Sequence, residues 1–167
     1  MLALITLSAL AAFSTPSPSP SPKPTPNPWR QLEFGSPTMG GTPPGHIAVF
    51  GGWVAVKRDG RGAHACISFK NEGSVAATSI AFEFPLMNRN GEEVTALKFD
   101  RRGTFSPGIE IHGWKSLEAW QGGSNRGYDE NCTGTALGVA AFPLLSARMA
   151  TYRILRVEYA DGSSWTP

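Results

Sequence analysis

The sequence predicts an all-β fold, an antiparallel β-sandwich of about seven or eight short strands. Three observations lead there. Runs rich in Val, Ile, Phe and Thr recur at roughly 8–14-residue spacing with glycine turns between them. No stretch carries a convincing helical period. The pattern fills one block of about 120 residues, from His46 to Trp165, long enough to bury a single core.

The elements follow in order. The first strand, 46–57, alternates poorly around Gly51-Gly52, which marks a bulge or bend. After the glycine turn 58–62, residues 63–70 alternate cleanly. Ala63, Ala65, Ile67 and Phe69 fall on one face, and His64, Cys66, Ser68 and Lys70 on the other. A turn at 71–74 leads into 75–84, with Ile80, Phe82, Phe84 and then Leu86 inward. Asn90-Gly91 signals a hairpin. The return strand 92–99 changes register between Val94 and Leu97, and 100–103 is a further turn. Pro107-Gly108 suits a type II turn. Residues 116–120 are ambiguous, 121–132 form a polar loop, and 135–145 and 150–160 are two more strands. Asp161-Gly162 turns the chain toward Trp165.

The two ends differ in character. Met1 to Phe13 carry no charge, and this apolar run of about twelve residues is too short to span a bilayer. With the small residues Ala9 and Ala11 it predicts an export signal over 1–13 that is removed. Residues 14–45 form a proline-rich spacer and an irregular lead-in. Seven of the fourteen prolines alternate along 15–28, which favours an extended polyproline-II strut of roughly 40 Å. The domain proper is 46–167. In an exported chain two cysteines favour a disulfide, here Cys66 to Cys132, and closing that loop contributes about 4 kcal/mol on the chain-entropy model. Because Ile67 and Phe69 take the inward face, Cys66 is expected on the outer face, pinning the loop that carries Cys132. His64 is expected to be exposed beside it.

The run 66–94, with 101–111 and the closing Val157-Glu-Tyr-Ala-Asp-Gly-Ser-Ser-Trp165, resembles small exported bacterial Ig-like sandwich domains of the FxLYD type. Phe69, Asn71, Phe84, Leu86, Gly91, Pro107 and Gly108 stand at the matching places, with Leu86-Met87-Asn88 where the group carries Leu-Tyr-Asp. The resemblance covers roughly half the chain and implies an antiparallel Ig-like β-sandwich that serves as a binding or spacer module.

Composition narrows the chemistry. The 15 basic and 13 acidic residues are interspersed with a net charge of +2, so no basic stripe points to nucleic acid. A membrane is met only through the signal, while uncleaved. His46, His64 and His112 form no local ligand pair, and exposed histidines are expected rather than a metal site. No nucleophile elbow is present, and oxidised cysteines offer no thiolate. Glu83, Glu92, Glu93, Glu110 and Glu118 are expected on outward faces or in turns. Asn125, Asp129, Glu130 and Asn131 match no known calcium-loop spacing and are expected at a solvated loop tip. No cofactor is implied.

The aromatic residues are the best functional signal. Trp114 and Trp120 lie in a segment of weak strand period, and Tyr128 lies in the loop after them. They are the candidate ligand contacts, set against the alternative that tryptophan simply fills core space. The sequence thus predicts a non-catalytic binding or adhesion module, secreted or in the cell envelope, for a protein or polysaccharide partner. A ligand-free spacer is the alternative, and a glycan-acting enzyme a distant one. Joint exposure of Trp114 and Trp120 favours the binder; their burial favours the spacer.

Overall fold

The alternation of residues 63–70 is the axis on which the fold is built. The computed structural model describes residues 26–35, 47–124, 126–135 and 142–167. The expected export signal and most of the proline spacer lie outside the described residues.

Two sheets pack face to face. In the first, β1 (Trp29–Gln31), β3 (Ile47–Lys57) and β4 (Ala63–Asn71) run in that order. The far edge of β4 is shared by two short strands, β7 (Glu110–Ile111) beside Phe69-Lys70 and β8 (Cys132–Thr135) beside residues 63–66. The second sheet centres on β5 (Ala77–Met87). One edge of β5 pairs with β6 (Glu93–Phe105), and the other with β10 (Arg153–Tyr159) and β9 (Met149–Ala150). Beyond these lie β11 (Ser164–Trp165) and β2 (Glu33–Phe34), and only the β2–β9 pairing is parallel among the described residues. Three short helices, α1 (Leu117–Gly122), α2 (Arg126–Asp129) and α3 (Phe142–Ser146), sit in the connections.

The core forms where the inward faces meet. Val54, Val56, Ala65, Ile67 and Phe69 from the first sheet are fully buried against Ile80, Phe82, Phe84, Leu86 and Val157 from the second. Phe69 lies at the centre, its ring 5.4 Å from that of Phe82 and 5.2 Å from that of Phe105. The inward set expected from alternation is the observed one.

The expected turns at Pro107-Gly108 and Asn90-Gly91 are present. At Ser106–Ile109 the Ile109 N–H donates to the Ser106 carbonyl at 3.1 Å, and Gly108 adopts φ +79°, which a side chain would strain. The Asn88–Glu92 hairpin is closed by the Asn88 side-chain oxygen, which accepts from the N–H groups of Asn90 and Glu92. The bulge at Gly51-Gly52 appears as a register shift that leaves Phe50 as the extra residue. A second shift, between Leu86 and Met87 of β5, lies opposite Val94.

Several expectations are corrected. The described residues hold eleven strands rather than seven or eight, because two- and three-residue pairings add to the long ones. Residues 29–34, expected in an irregular lead-in, form β1 and β2, one on each sheet. Asp100–Gly103 is not a turn but part of β6, where a bulge opposite Ala77–Ser79 absorbs the extra residue. Residues 116–120 open helix α1, with the Ser116 hydroxyl accepting from the Ala119 N–H at 3.2 Å. Of the strand expected at 135–145, residues 142–146 are helical and 136–141 lie outside the described residues.

Asn71 joins the two sheets at one end. It is fully buried, and its amide donates to the carbonyls of Val75 (2.9 Å) and Phe105 (2.8 Å) while its oxygen accepts from the Gly73 N–H (2.9 Å). Replacing Asn71 by Ala leaves those groups without partners and is expected to cost about 2–3 kcal/mol. Urea unfolding of the full chain measures it; a loss below about 0.5 kcal/mol would show that water takes over the role of Asn71.

Candidate functional site

The outer face of the first sheet carries Trp53 and Ala55 from β3, His64 and Cys66 from β4, and Cys132 from β8. Strand period fixes this, since Trp53 pairs with Cys66 and Ala55 with His64, each one residue out of phase with the inward set. Cys66 does lie on the outer face and is bonded to Cys132. It does not pin a loop: Cys132 opens β8, directly opposite Cys66 in the ladder, and Cys66 itself is completely buried. The disulfide therefore staples two neighbouring strands.

What buries it is a second hydrophobic cluster outside the sandwich. Trp53, Ala55, Cys66 and Leu117 are its buried members, with Trp29, Trp114, Trp120 and Cys132 packed around them. Helix α1 supplies Leu117 and Trp120 at an i, i+3 spacing that puts both on one side of a short helix. Strand β1 supplies Trp29 by pairing with Lys57, whose ammonium lies 5.5 Å from the Trp29 ring centre.

His64 stands inside this cluster and is not exposed as expected. Its ring stacks on Trp120 at 4.2 Å and lies 5.8 Å from Trp53 and 6.2 Å from Trp29. The Nε2 atom is enclosed and has no hydrogen-bond partner among the described residues. Burial pushes the His64 pKa below its usual 6.5, and the Asp129 carboxylate opposes this only in part. The sign follows. Between the lowered folded-state value and 6.5 the unfolded imidazole binds a proton that the folded one refuses, so acid in that window destabilises the fold. Urea midpoints measured from pH 7.5 downward should fall below about pH 6.5 more steeply for the natural chain than for His64→Gln. Identical slopes would mean that His64 is solvated.

The candidate contacts Trp114, Trp120 and Tyr128 gather at this cluster without forming one open face. Trp114 and Trp120 are both half-buried, and Tyr128 is 36 % exposed. The Trp53 indole N–H donates to the Trp114 carbonyl at 2.8 Å, while the Trp114 indole N–H donates to Asp129 Oδ1 at 2.6 Å. A Cβ on Gly123 would lie 2.0 Å from the Trp114 ring, so only glycine lets that ring settle there. Tyr128 meets Trp114 edge to face at 5.3 Å. Trp120 is occupied with His64, Trp29 and Trp53. Trp29 and the burial of His64 were missed in the sequence because the segments that cover this face are remote in the chain.

The other titratable groups are engaged locally. His112 is exposed, 3.6 Å from Glu110 and 5.3 Å from the Phe50 ring; His46 lies outside the described residues. Glu83 is on the outward face of its sheet, as expected, yet only 6 % exposed, because Arg153 hydrogen-bonds to it and Lys98 lies 3.8 Å away. Glu92 accepts from the Asn88 amide, Glu93 lies 3.7 Å from Arg153, and Glu118 is exposed on α1. The expected solvated tip is partly an anchor. Asn131 is buried, accepts from Arg101 Nε at 2.8 Å and donates to the carbonyls of His112 and Gly127, while Glu130 pairs with Arg101 at 2.9 Å. Asn125 lies outside the described residues.

Among the described residues no helix is long and apolar enough to cross a membrane. Comparison of the chain with protein-family models, with curated proteins and with solved structures gave no match.

Proposed function

We propose that this chain is an exported, non-catalytic binding module, an Ig-like sandwich carried on a proline strut and meeting a protein or polysaccharide of the cell envelope. The disulfide, together with the charge-free apolar start of the sequence, supports an oxidising location. The observation that carries the binding reading is Tyr128, a large exposed aromatic held edge-on by Trp114, with the carboxylates of Asp129 and Glu130 next to it in the chain. An exposed aromatic ring suits a sugar ring, whose C–H face stacks on it.

A second reading, a ligand-free spacer, is favoured by the stacking of Trp120 on His64, which commits that tryptophan to packing. Full chain passed over immobilised cell-wall polysaccharide and over envelope extract separates the two. Retention that Tyr128→Ala abolishes, with the far-ultraviolet spectrum unchanged, supports the binding module. Equal retention by Tyr128→Ala removes the proposed contact, and no retention above a blank matrix leaves the spacer reading standing.

A further inference from the structure

A ring nitrogen of His64 and the two sulfurs of the disulfide lie together. The ligand-capable atoms of His64, Cys66 and Cys132 are all within 4.8 Å of one another. His64 Nε2 is enclosed and unpartnered, an arrangement that normally costs free energy unless something uses the lone pair or the N–H. We propose that reduction of the Cys66–Cys132 disulfide converts this cluster into a two-thiolate, one-imidazole site for a thiophilic d¹⁰ cation of the zinc class. The inference is independent of the binding reading above.

The geometry supports it in three ways. Tetrahedral zinc takes sulfur at about 2.3 Å and imidazole nitrogen at about 2.0–2.1 Å, so its ligand atoms lie roughly 3.3–3.8 Å apart. Cys66 and Cys132 are directly opposed across the β4–β8 ladder, so once the bond opens, side-chain rotation can set the sulfurs near that spacing with the ladder intact. The ring of His64 is held by Trp120, which limits the freedom lost on binding. Three protein ligands leave a fourth position for water or an exogenous donor.

The redox step balances with a dithiol as reductant. One reductant thiolate attacks the Cys132 sulfur, the half-buried member of the pair, and Cys66 leaves as thiolate. The second reductant thiol then displaces Cys132, so two electrons and two protons pass to the protein and the reductant departs as its own disulfide. Metal binding next releases one proton from each cysteine, with neutral His64 donating a lone pair.

The test uses the full chain with Co²⁺ as spectroscopic probe after reduction by a phosphine, which is removed. The expected result is a sulfur-to-cobalt charge-transfer band with tetrahedral visible bands in the reduced chain and none in the oxidised chain. His64→Gln should weaken binding by about tenfold or more, and Zn²⁺ should displace the cobalt. If reduction unfolds the chain, cobalt should restore the folded far-ultraviolet spectrum of the natural sequence and not that of His64→Gln. Absence of the charge-transfer band, equal affinity in His64→Gln, or equal binding by the oxidised chain each overturns the proposal.

Discussion

Replacing both Cys66 and Cys132 by alanine is expected to lower the unfolding free energy of the full chain by about 3–4 kcal/mol. The bridge spans 66 residues, so its loss frees a large loop in the unfolded state. A folded-state loss adds to this, because Cys66 is completely buried beneath Leu117 and the tryptophans, and removing sulfur thins that packing. The bridge also secures β8, a four-residue strand held otherwise by its ladder with residues 63–66. Hydrogen exchange should therefore rise at Thr133 and Thr135 before it rises at β3. Urea unfolding of the natural and double-alanine chains decides the magnitude. A difference under about 1 kcal/mol would show that the ladder and the aromatic cluster hold β8 without the bond.

Trp53→Ala should be as damaging, at about 3–5 kcal/mol, while Trp53→Phe should cost about 1–2 kcal/mol. Trp53 is 1 % exposed, although it points away from the main core, and its indole N–H satisfies the Trp114 carbonyl. Alanine removes the floor on which Trp120 and His64 rest; phenylalanine keeps much of the floor and loses the hydrogen bond. Urea midpoints of the two variants check the ordering. Because Trp53 and Cys66 are ladder partners, the losses from Trp53→Ala and the double-alanine change should not add; the combined variant should lose less than the sum. If Trp53→Ala instead costs under 1 kcal/mol, the outer cluster contributes little to stability.

The sandwich was legible because its long strands carry their own signal. Residues 63–70 alternate in sequence without interruption, and their inward set, Ala63, Ala65, Ile67 and Phe69, is buried. Gly108 and Asn90-Gly91 mark turns by chemistry that needs no tertiary context. What escaped were elements too short to show a period. β1 has three residues, and its partner, the Ala55–Lys57 end of β3, lies in a segment of the chain that no local pattern links to it. Helix α1 has six residues, and its cap at Ser116 with Leu117 and Trp120 on one side is a signal easily taken for a loop. That miss explains the others at the site. Without α1 and β1 in place, the outer face of β4 looks solvent-facing, so His64 was expected to be exposed and Cys66 merely external. The disulfide followed from cysteine count, whereas its position inside a ladder depends on β8, which follows a polar loop and has no alternation of its own. Exposure of the candidate contacts came out divided: Tyr128 faces solvent, and Trp120 is taken up in packing.

The account rests on the claim that the outer face of the first sheet is a closed second core around the disulfide. Hydroxyl-radical footprinting of the oxidised full chain, read by mass spectrometry at each aromatic residue, tests it most directly. Trp53 should stay unmodified while Tyr128 reacts. Modification of Trp53 as fast as Tyr128 would contradict the claim, because it would place water where the cluster is closed.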